Sequence, residues 1–114
     1  MKFTINKEEY ELIYSFRSNI YFEQISGHTM DLNNLSANDL ITLFYCIVIS
    51  TLQKNKKPVI TMLDFLDAVD DNGGEKCILE FSEWYVEVMK AQYEVLDTVV
   101  GDDKKQDIDL SKKK

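Results

Sequence analysis

The chain has 114 residues, which is enough for one domain with a single hydrophobic core. Hydrophobic residues make up 45% of it and exclude a wholly disordered protein, while one proline and four glycines exclude collagen-like or low-complexity architecture. Two cysteines and one histidine are too few for a disulfide framework or a zinc site.

The formal net charge of −7 is concentrated in one part of the sequence. Residues 1–60 carry six acids and six bases, whereas residues 61–100 carry ten acids and only two bases. An acidic half repels the phosphate backbone of a nucleic acid, so we expect no nucleic-acid partner. The acidity indicates either a solvated surface that maintains solubility or a face that attracts a basic partner.

Residues 2–15 alternate between apolar and polar side chains, which predicts two short strands joined by a polar turn. Phe3 and Ile5 carry this alternation in the first strand, and Tyr10 carries it in the second. The alternative is a helix over residues 7–26, since several glutamates there suit a first helical turn. An isolated hairpin is marginally stable in water, so we expect it to pack on helices or on another subunit.

A first helix is predicted over residues 16–25. Four apolar residues form its expected buried side: Ile20, Tyr21, Phe22 and Ile25. Gly27 follows at the position where a helix end favours a left-handed residue. A polar connector over residues 28–35 then leads to the next helix.

Ser36 predicts the start of a second helix, because its hydroxyl can accept a hydrogen bond from the amide of Asp39. Residues 40–49 contain nine apolar residues and one threonine, so this helix must be covered on most sides. It is too short to span a bilayer, which needs about 20 apolar residues, and we expect no membrane partner. It is either a central core helix or a helix with one side covered only by another chain.

Two further helices are predicted in the acidic part of the chain. Thr61 caps a short helix over residues 62–70, with Asp64 at the third position after the cap. The apolar stripe of this helix consists of Met62, Phe65, Leu66 and Val69. A long helix over residues 75–100 has an apolar side broader than a coiled-coil seam, which favours packing on a domain.

These elements predict a mainly α fold, a small helical domain of about four helices with an N-terminal β-hairpin. We expect a single domain over residues 1–100. Residues 101–114 are rich in charge and poor in apolar side chains, so we expect a disordered charged tail there.

Few residues are candidates for catalysis. His28 lies on a predicted turn, and no motif places a serine or cysteine beside it. Cys46 and Cys77 are most simply buried small side chains. We therefore predict that the protein is not an enzyme and has no catalytic residue and no cofactor.

The acidic residues of the short helix are candidate ligands for a metal ion. Asp64, Asp67 and Asp71 share one helix side and could bind a hard cation, but exposed acidic helices often show this spacing. We predict no metal site. A helix-turn-helix DNA reader over residues 36–70 is also excluded, because its second helix would carry no base.

Four segments follow one another in an informative order. They are a hairpin sequence at 3–12, a helix end at 22–27 with the pattern aromatic-Glu-x-Ile-x-Gly, an apolar helix beginning near Leu35, and the segment at 60–67. Together they resemble the tail assembly chaperones of long-tailed bacteriophages and prophages. Lys7 departs from this resemblance, because many relatives have a glycine there, and it suggests a loop wider than a two-residue turn.

The resemblance implies a chaperone that coats the tape-measure protein before the tail tube polymerises around it. It implies a homo-oligomer in the cytoplasm of a host bacterium, and the polar, charged residues 1–9 predict no signal peptide. Such chaperones are often made in two lengths by a ribosomal frameshift. The lysines at 112–114 fit a slippery run of adenines and fit a plain lysine-rich tail equally well.

The two most apolar helices supply the expected partner contacts. These contacts are Phe44, Ile47, Trp84 and Tyr85, and each is also a candidate for the core. Two other functions fit the sequence. One is a structural virion component, such as a tail-completion or head-tail connector subunit, and the other is a small acidic regulator that binds a host protein.

Overall fold

In the computed structural model, the N-terminal residues form a hairpin of two antiparallel strands, β1 (Lys2–Ile5) and β2 (Glu8–Glu11). Ile5 lies opposite Glu8, so Asn6 and Lys7 alone form the turn. Both have positive φ angles, 50° and 68°, as a two-residue turn of type I′ requires. The expectation of a wider loop at Lys7 is therefore wrong. Asn6 adopts this conformation readily, and the strand pairing holds Lys7 in it as well.

Four helices follow within the described part of the chain: α1 (Phe16–Ser26), α2 (Ala37–Lys54), α3 (Met62–Asp71) and α4 (Glu75–Lys104). The structure describes residues 1–29, 31 and 34–104, and the side chains of α4 up to Gln92. The predicted fold class, mainly helical with an N-terminal β-hairpin, is confirmed. The last helix continues four residues beyond its predicted end, and residues 105–114 of the predicted tail, with the lysines at 112–114, lie outside the described residues.

The helix ends form where the sequence predicts them. Gly27 has a φ of 83° and donates its N–H to the Glu23 carbonyl at 2.9 Å. Ser36 and Asp39 form a reciprocal capping box, in which each side chain accepts from the other residue's backbone N–H. Thr61 caps α3 in the same sense, because its hydroxyl accepts from the amide of Asp64 at 3.1 Å. These predictions are confirmed because each depends on residues within one helical turn.

The chain divides into two compact units. The first unit, Met1–Ser82, contains the hairpin, α1 to α3 and the start of α4. The second unit begins at Glu83 with the remainder of α4. The single domain expected over residues 1–100 stays a prediction.

Four phenylalanines form the centre of the first unit. Phe44 of α2 stacks on Phe81 of α4 with ring centroids 4.2 Å apart. It also meets the rings of Phe3 and Phe65 edge-on, at 5.2 and 5.0 Å. Aromatic pairs at these separations add packing energy beyond the apolar area that they bury. The hairpin, α2, α3 and the start of α4 therefore share one core.

The α2 helix is enclosed over most of its length. Its buried residues run without a break from Cys46 to Leu52 and include Leu43 and Phe44. This confirms a central core helix, the first of the two alternatives for the 40–49 segment. Among the helices of the described residues, none meets the length and hydropathy that a bilayer-spanning segment requires.

Polar contacts attach the N-terminal elements to α2. The backbone N–H of Ile13 donates to Thr51 Oγ1 at 3.0 Å, just after β2 ends. The hydroxyls of Ser15 and Ser50 lie 2.7 Å apart, and Tyr21 donates to Gln53 Oε1 at 2.7 Å. These contacts determine which side of α1 faces α2, and so which side is left outside.

Candidate partner-binding surface

The predicted contact residues of α2 lie in the core. Phe44 is 1% exposed and Ile47 is fully buried, so neither offers surface to a partner in the folded first unit. Each was also a candidate for the core, and for these two residues the structure favours the core position, because Phe44 packs in the phenylalanine cluster. Trp84 is half-buried and Tyr85 is buried, and both belong to the second unit. Three of the four predicted contact residues, Phe44, Ile47 and Tyr85, are therefore buried, and Trp84 is half-buried.

A first exposed apolar group lies on α1. Phe16 is 77% exposed and Ile20, one turn further along, is 40% exposed. Ile13, which precedes the helix, is also exposed. The buried side of the helix is formed instead by Ser18 and Phe22. We call Ile13, Phe16 and Ile20 the α1 outer face.

A second exposed apolar group lies on α3. Leu63 is 74% exposed, and Leu66, three residues on, is partly exposed. Val59, in the segment before the helix, is exposed as well. Asp67 and Asp70 are exposed at one and two turns from Leu63, so the apolar side chains lie among carboxylates. We call Val59, Leu63 and Leu66 the α3 outer face.

The sequence pattern did not predict either outer face. On α1, Ile20 and Ile25 were expected inside and are exposed, while Ser18 is buried against expectation. On α3, Leu66 was assigned to the buried stripe, whereas Ala68 is buried in its place. A signal existed at Leu63, because a leucine outside the predicted apolar stripe of a helix has no obvious place in the core.

Three aspartates of α3 line a shared cavity. The carboxylates of Asp64, Asp67 and Asp71 border a space of about 190 Å³, with Ile5 and Asn6 of the hairpin on its other side. The predicted common helix side of these aspartates is confirmed. Within residues 1–29, 31 and 34–92, no three His, Cys, Asp or Glu side chains are grouped closely enough to hold a metal ion. The cavity is an acidic feature of the surface.

His28 joins the end of α1 to the start of α2. Its Nε2 lies 3.0 Å from Asp39 Oδ1, and its Nδ1 lies 3.0 Å from the Thr29 carbonyl oxygen. Because both ring nitrogens face acceptors, only the doubly protonated ring can donate to both. The Thr29 carbonyl and then the Asp39 carboxylate raise the pKa of His28. The ring also meets Phe22 edge-on at 5.5 Å, so His28 has a structural place in the connector.

Both cysteine thiols are free and buried. Burial raises the pKa of Cys46 to about 12. Burial, followed by the nearby charge of Glu80, raises the pKa of Cys77 to about 11. Both thiols therefore stay protonated at neutral pH and do not supply the thiolate that a cysteine nucleophile needs.

Comparison of the chain with family models, with curated proteins and with solved structures finds no match. The geometry of the exposed faces is therefore the basis for assigning a function.

Proposed function

We propose that this protein is a tail assembly chaperone of a long-tailed phage or prophage. In this role it coats the tape-measure protein in the host cytoplasm before the tail tube polymerises around it. The observation that carries the proposal is the exposure of Phe16 and Leu63, at 77% and 74%, outside a first unit whose core is otherwise enclosed. Large exposed apolar side chains that lie together on one face of a helix indicate a contact surface for another protein.

The spacing of these side chains suits a helical partner. Phe16 and Ile20 are four residues apart on α1, and Leu63 and Leu66 are three residues apart on α3. Each pair therefore lies along one side of its helix. A tape-measure protein is long and helical, and an amphipathic helix offers apolar side chains at the matching spacing. Contact between the two hides the apolar side chains of both.

The acidic charge would help such a chaperone to stay soluble before it binds its partner. Residues 61–100 carry ten acids and two bases, and Asp67 and Asp70 lie one and two helical turns from Leu63. Net charge of one sign keeps molecules apart while the apolar faces are unoccupied. The protonated thiols of Cys46 and Cys77 and the structural place of His28 also favour a role in binding rather than in chemistry.

Co-expression with the tape-measure protein of the same phage genome tests the proposal. We expect the wild-type chain to keep the tape-measure protein soluble and to co-purify with it. The double variant Phe16→Ser, Leu63→Ser should lose most of this effect, because it removes the largest exposed apolar side chain from each outer face. The soluble fraction and the recovered complex are measured by gel densitometry and size-exclusion chromatography.

A matched variant carries Gln24→Ser and Gln92→Ser, two exposed polar positions on α1 and α4. It changes the same number of residues without altering charge and should behave like the wild type. Equal solubilisation by the apolar-face variant and this control would contradict the proposal. Mass spectrometry of purified virions provides the second criterion. A chaperone is absent from the finished particle, whereas a tail-completion or connector subunit is present in it.

A further inference from the structure

The outer edge of β1 is closed by one side chain. The N–H of Thr4 donates to Asn72 Oδ1 at 3.1 Å, and Asn72 Nδ2 donates to the Thr4 carbonyl at 2.8 Å. Both outward backbone groups of Thr4 are thereby satisfied, as they would be by a third strand. Asn72 directly follows α3, so the end of that helix shields this side of the hairpin from further pairing.

The outer edge of β2 is open. The Leu12 N–H donates to the Met1 carbonyl at 2.8 Å. This bond shows which residues of β2 direct their backbone groups towards β1 and which direct them outward. In this register the backbone groups of Tyr10 face Phe3 of β1. The N–H and C=O groups of Glu9 and Glu11 point away from β1. Among the described residues, none hydrogen-bonds to these outward backbone groups.

A groove of about 280 Å³ borders the same strand. Glu8 and Tyr10 of β2 form one wall, and Leu52, Lys57 and Pro58 are among the residues that form the rest. Lys57 Nζ lies 3.1 Å from Glu8 Oε2, so the charge within the groove is already neutralised. The remaining lining is largely apolar. A strand paired to β2 would place every second side chain on this face of the sheet.

The opposite face of β2 carries two exposed acids at the edge, Glu9 and Glu11. Glu9 and Glu11 are two positions apart in the strand, so their carboxylates project to the same side. Glu9 pairs with Lys2 of β1 at 4.0 Å, and Glu11 pairs with the N-terminal amine of Met1, just before β1, at 2.7 Å. Both cations lie on the β1 side of the carboxylates, away from the open edge. An incoming strand therefore meets the two carboxylates as its nearest neighbours.

We propose that the open edge of β2 binds an extended segment of a partner protein by strand addition. The segment has lysine or arginine at alternate positions, opposite Glu9 and Glu11, and apolar residues at the intervening positions, which enter the groove. A second copy of this chain is a poor occupant, because pairing β2 with β2 would place glutamates against glutamates. This site is separate from the α1 and α3 outer faces and goes beyond the proposed chaperone function.

The test uses the full-length, ¹⁵N-labelled protein and a ten-residue peptide of alternating lysine and valine with blocked ends. We expect saturable binding with slower hydrogen exchange at the amides of Glu9 and Glu11. Glu9→Pro removes an outward N–H that the hairpin itself does not use, so Kd should rise at least tenfold while the fold is kept. A peptide of alternating glutamate and valine serves as the charge control and should not bind.

A second variant maintains the test if proline perturbs the hairpin. Glu9→Gln with Glu11→Gln leaves every backbone donor in place, so it should bind the lysine peptide several-fold more weakly and lose most of the salt dependence. The proposal is overturned by unchanged affinity in both variants or by amide protection away from β2. It is also overturned if Glu9 and Glu11 become protected without peptide as protein concentration rises, because a second copy then occupies the edge.

Discussion

Asn72 and Thr4, 68 residues apart in sequence, are joined by two hydrogen bonds that imitate the pairing of a third strand. The same Asn72 side chain also donates to the Ala68 carbonyl at 2.7 Å, so it closes the end of α3 while it holds β1. One residue thus couples the hairpin to a helix. This contact explains how a two-stranded sheet, marginal by itself, is held in place in a small protein.

Asn72→Ala is expected to destabilise the fold through the loss of this coupling. Each net hydrogen bond contributes roughly 1 kcal/mol, and the outward groups of Thr4 would keep only water as a partner. We expect the free energy of unfolding to fall by about 1–2 kcal/mol, measured by urea denaturation. The amide of Thr4 should also exchange with solvent faster than in the wild type.

Asn55 provides the matched control for this substitution. It follows α2 as Asn72 follows α3, and its Nδ2 donates to the Thr51 carbonyl at 2.8 Å, four residues back. Asn55→Ala removes the same helix-end bond without touching the hairpin. If both variants lose the same stability and the Thr4 amide is equally protected in both, the bridge between Asn72 and Thr4 has no measurable role.

His28 is expected to titrate above its ordinary pKa in the folded protein. The Thr29 carbonyl and the Asp39 carboxylate raise the pKa of His28. Partial desolvation opposes ionisation of Asp39, but hydrogen bonds from Ser36 and His28 outweigh it and lower the pKa of Asp39. Because the histidine pKa is raised on folding, its stabilising contribution is complete below the unfolded value of about 6.5 and is lost as pH rises through the folded pKa.

The Asp39 contribution has the opposite dependence on pH. Its pKa is lowered on folding, so the contribution is present above the unfolded value of about 3.9 and is lost as pH falls through the folded pKa. The pair is therefore most favourable between about pH 4 and pH 6.5. The chain has one histidine, so its NMR titration is read from a single imidazole signal.

Asp39→Asn should lower the measured pKa of His28 towards its value in urea. Asp64→Asn is the matched control, because Asp64 occupies the same position after the Thr61 cap and lies on a different helix. A folded-state pKa of His28 at or below the value in urea would contradict the assigned hydrogen bonds.

Sequence chemistry predicts the ends of the elements in this protein better than their faces. Gly27, Ser36 and Thr61 were recognisable because each cap involves groups within four residues of the chain. The burial of α2 was the first of two predicted alternatives, since a helix that is apolar nearly all round must be covered on most sides.

The rotation of α1 about its axis was not predictable in this way. Ser18 is buried because the hydroxyls of Ser15, Ser18 and Ser50 form a polar cluster between α1 and α2, with separations of 3.3 and 2.7 Å. Ser50 lies more than thirty residues away from Ser15 and Ser18 in sequence. A serine does not contribute to an apolar pattern, so its burial could not be predicted from one. The rotation of α1 about its axis that buries Ser18 leaves Ile20 exposed. The side of α1 that is left exposed depends on this long-range contact, so the sequence pattern alone could not predict the α1 outer face.

The two cysteines are expected to be inert until the protein unfolds. Burial places the pKa of Cys46 at about 12 and that of Cys77 at about 11, so thiolate is scarce at pH 8. A colorimetric disulfide reagent should react slowly with the native protein and rapidly with both thiols in guanidinium. Leu63→Cys, at a 74% exposed position, supplies an accessible thiol on the same fold as the internal standard. Reaction of either natural thiol at the rate of this added thiol would show that the first unit is open in solution.

Phe44 and Phe16 should respond to truncation in opposite ways. Phe44 was one of four predicted partner contacts, yet it stacks on Phe81 and is 1% exposed, whereas Phe16 is 77% exposed. Phe44→Ala should therefore reduce the free energy of unfolding by about 3–5 kcal/mol, enough to unfold a small domain or nearly so. Phe16→Ala should change it by no more than about 0.5 kcal/mol, because the side chain gains little from folding.

Binding of the tape-measure protein should show the reverse order, since Phe16 is the proposed partner contact. Denaturation curves of the two variants, measured beside tape-measure co-purification, separate the roles. A folded Phe44→Ala protein that alone loses the tape-measure protein would restore Phe44 to the binding surface and remove Phe16 from it. A stable Phe16→Ala protein with weakened co-purification would place the contact on the α1 outer face. There the Phe16 ring is exposed to water in the free protein and becomes buried only when a partner binds.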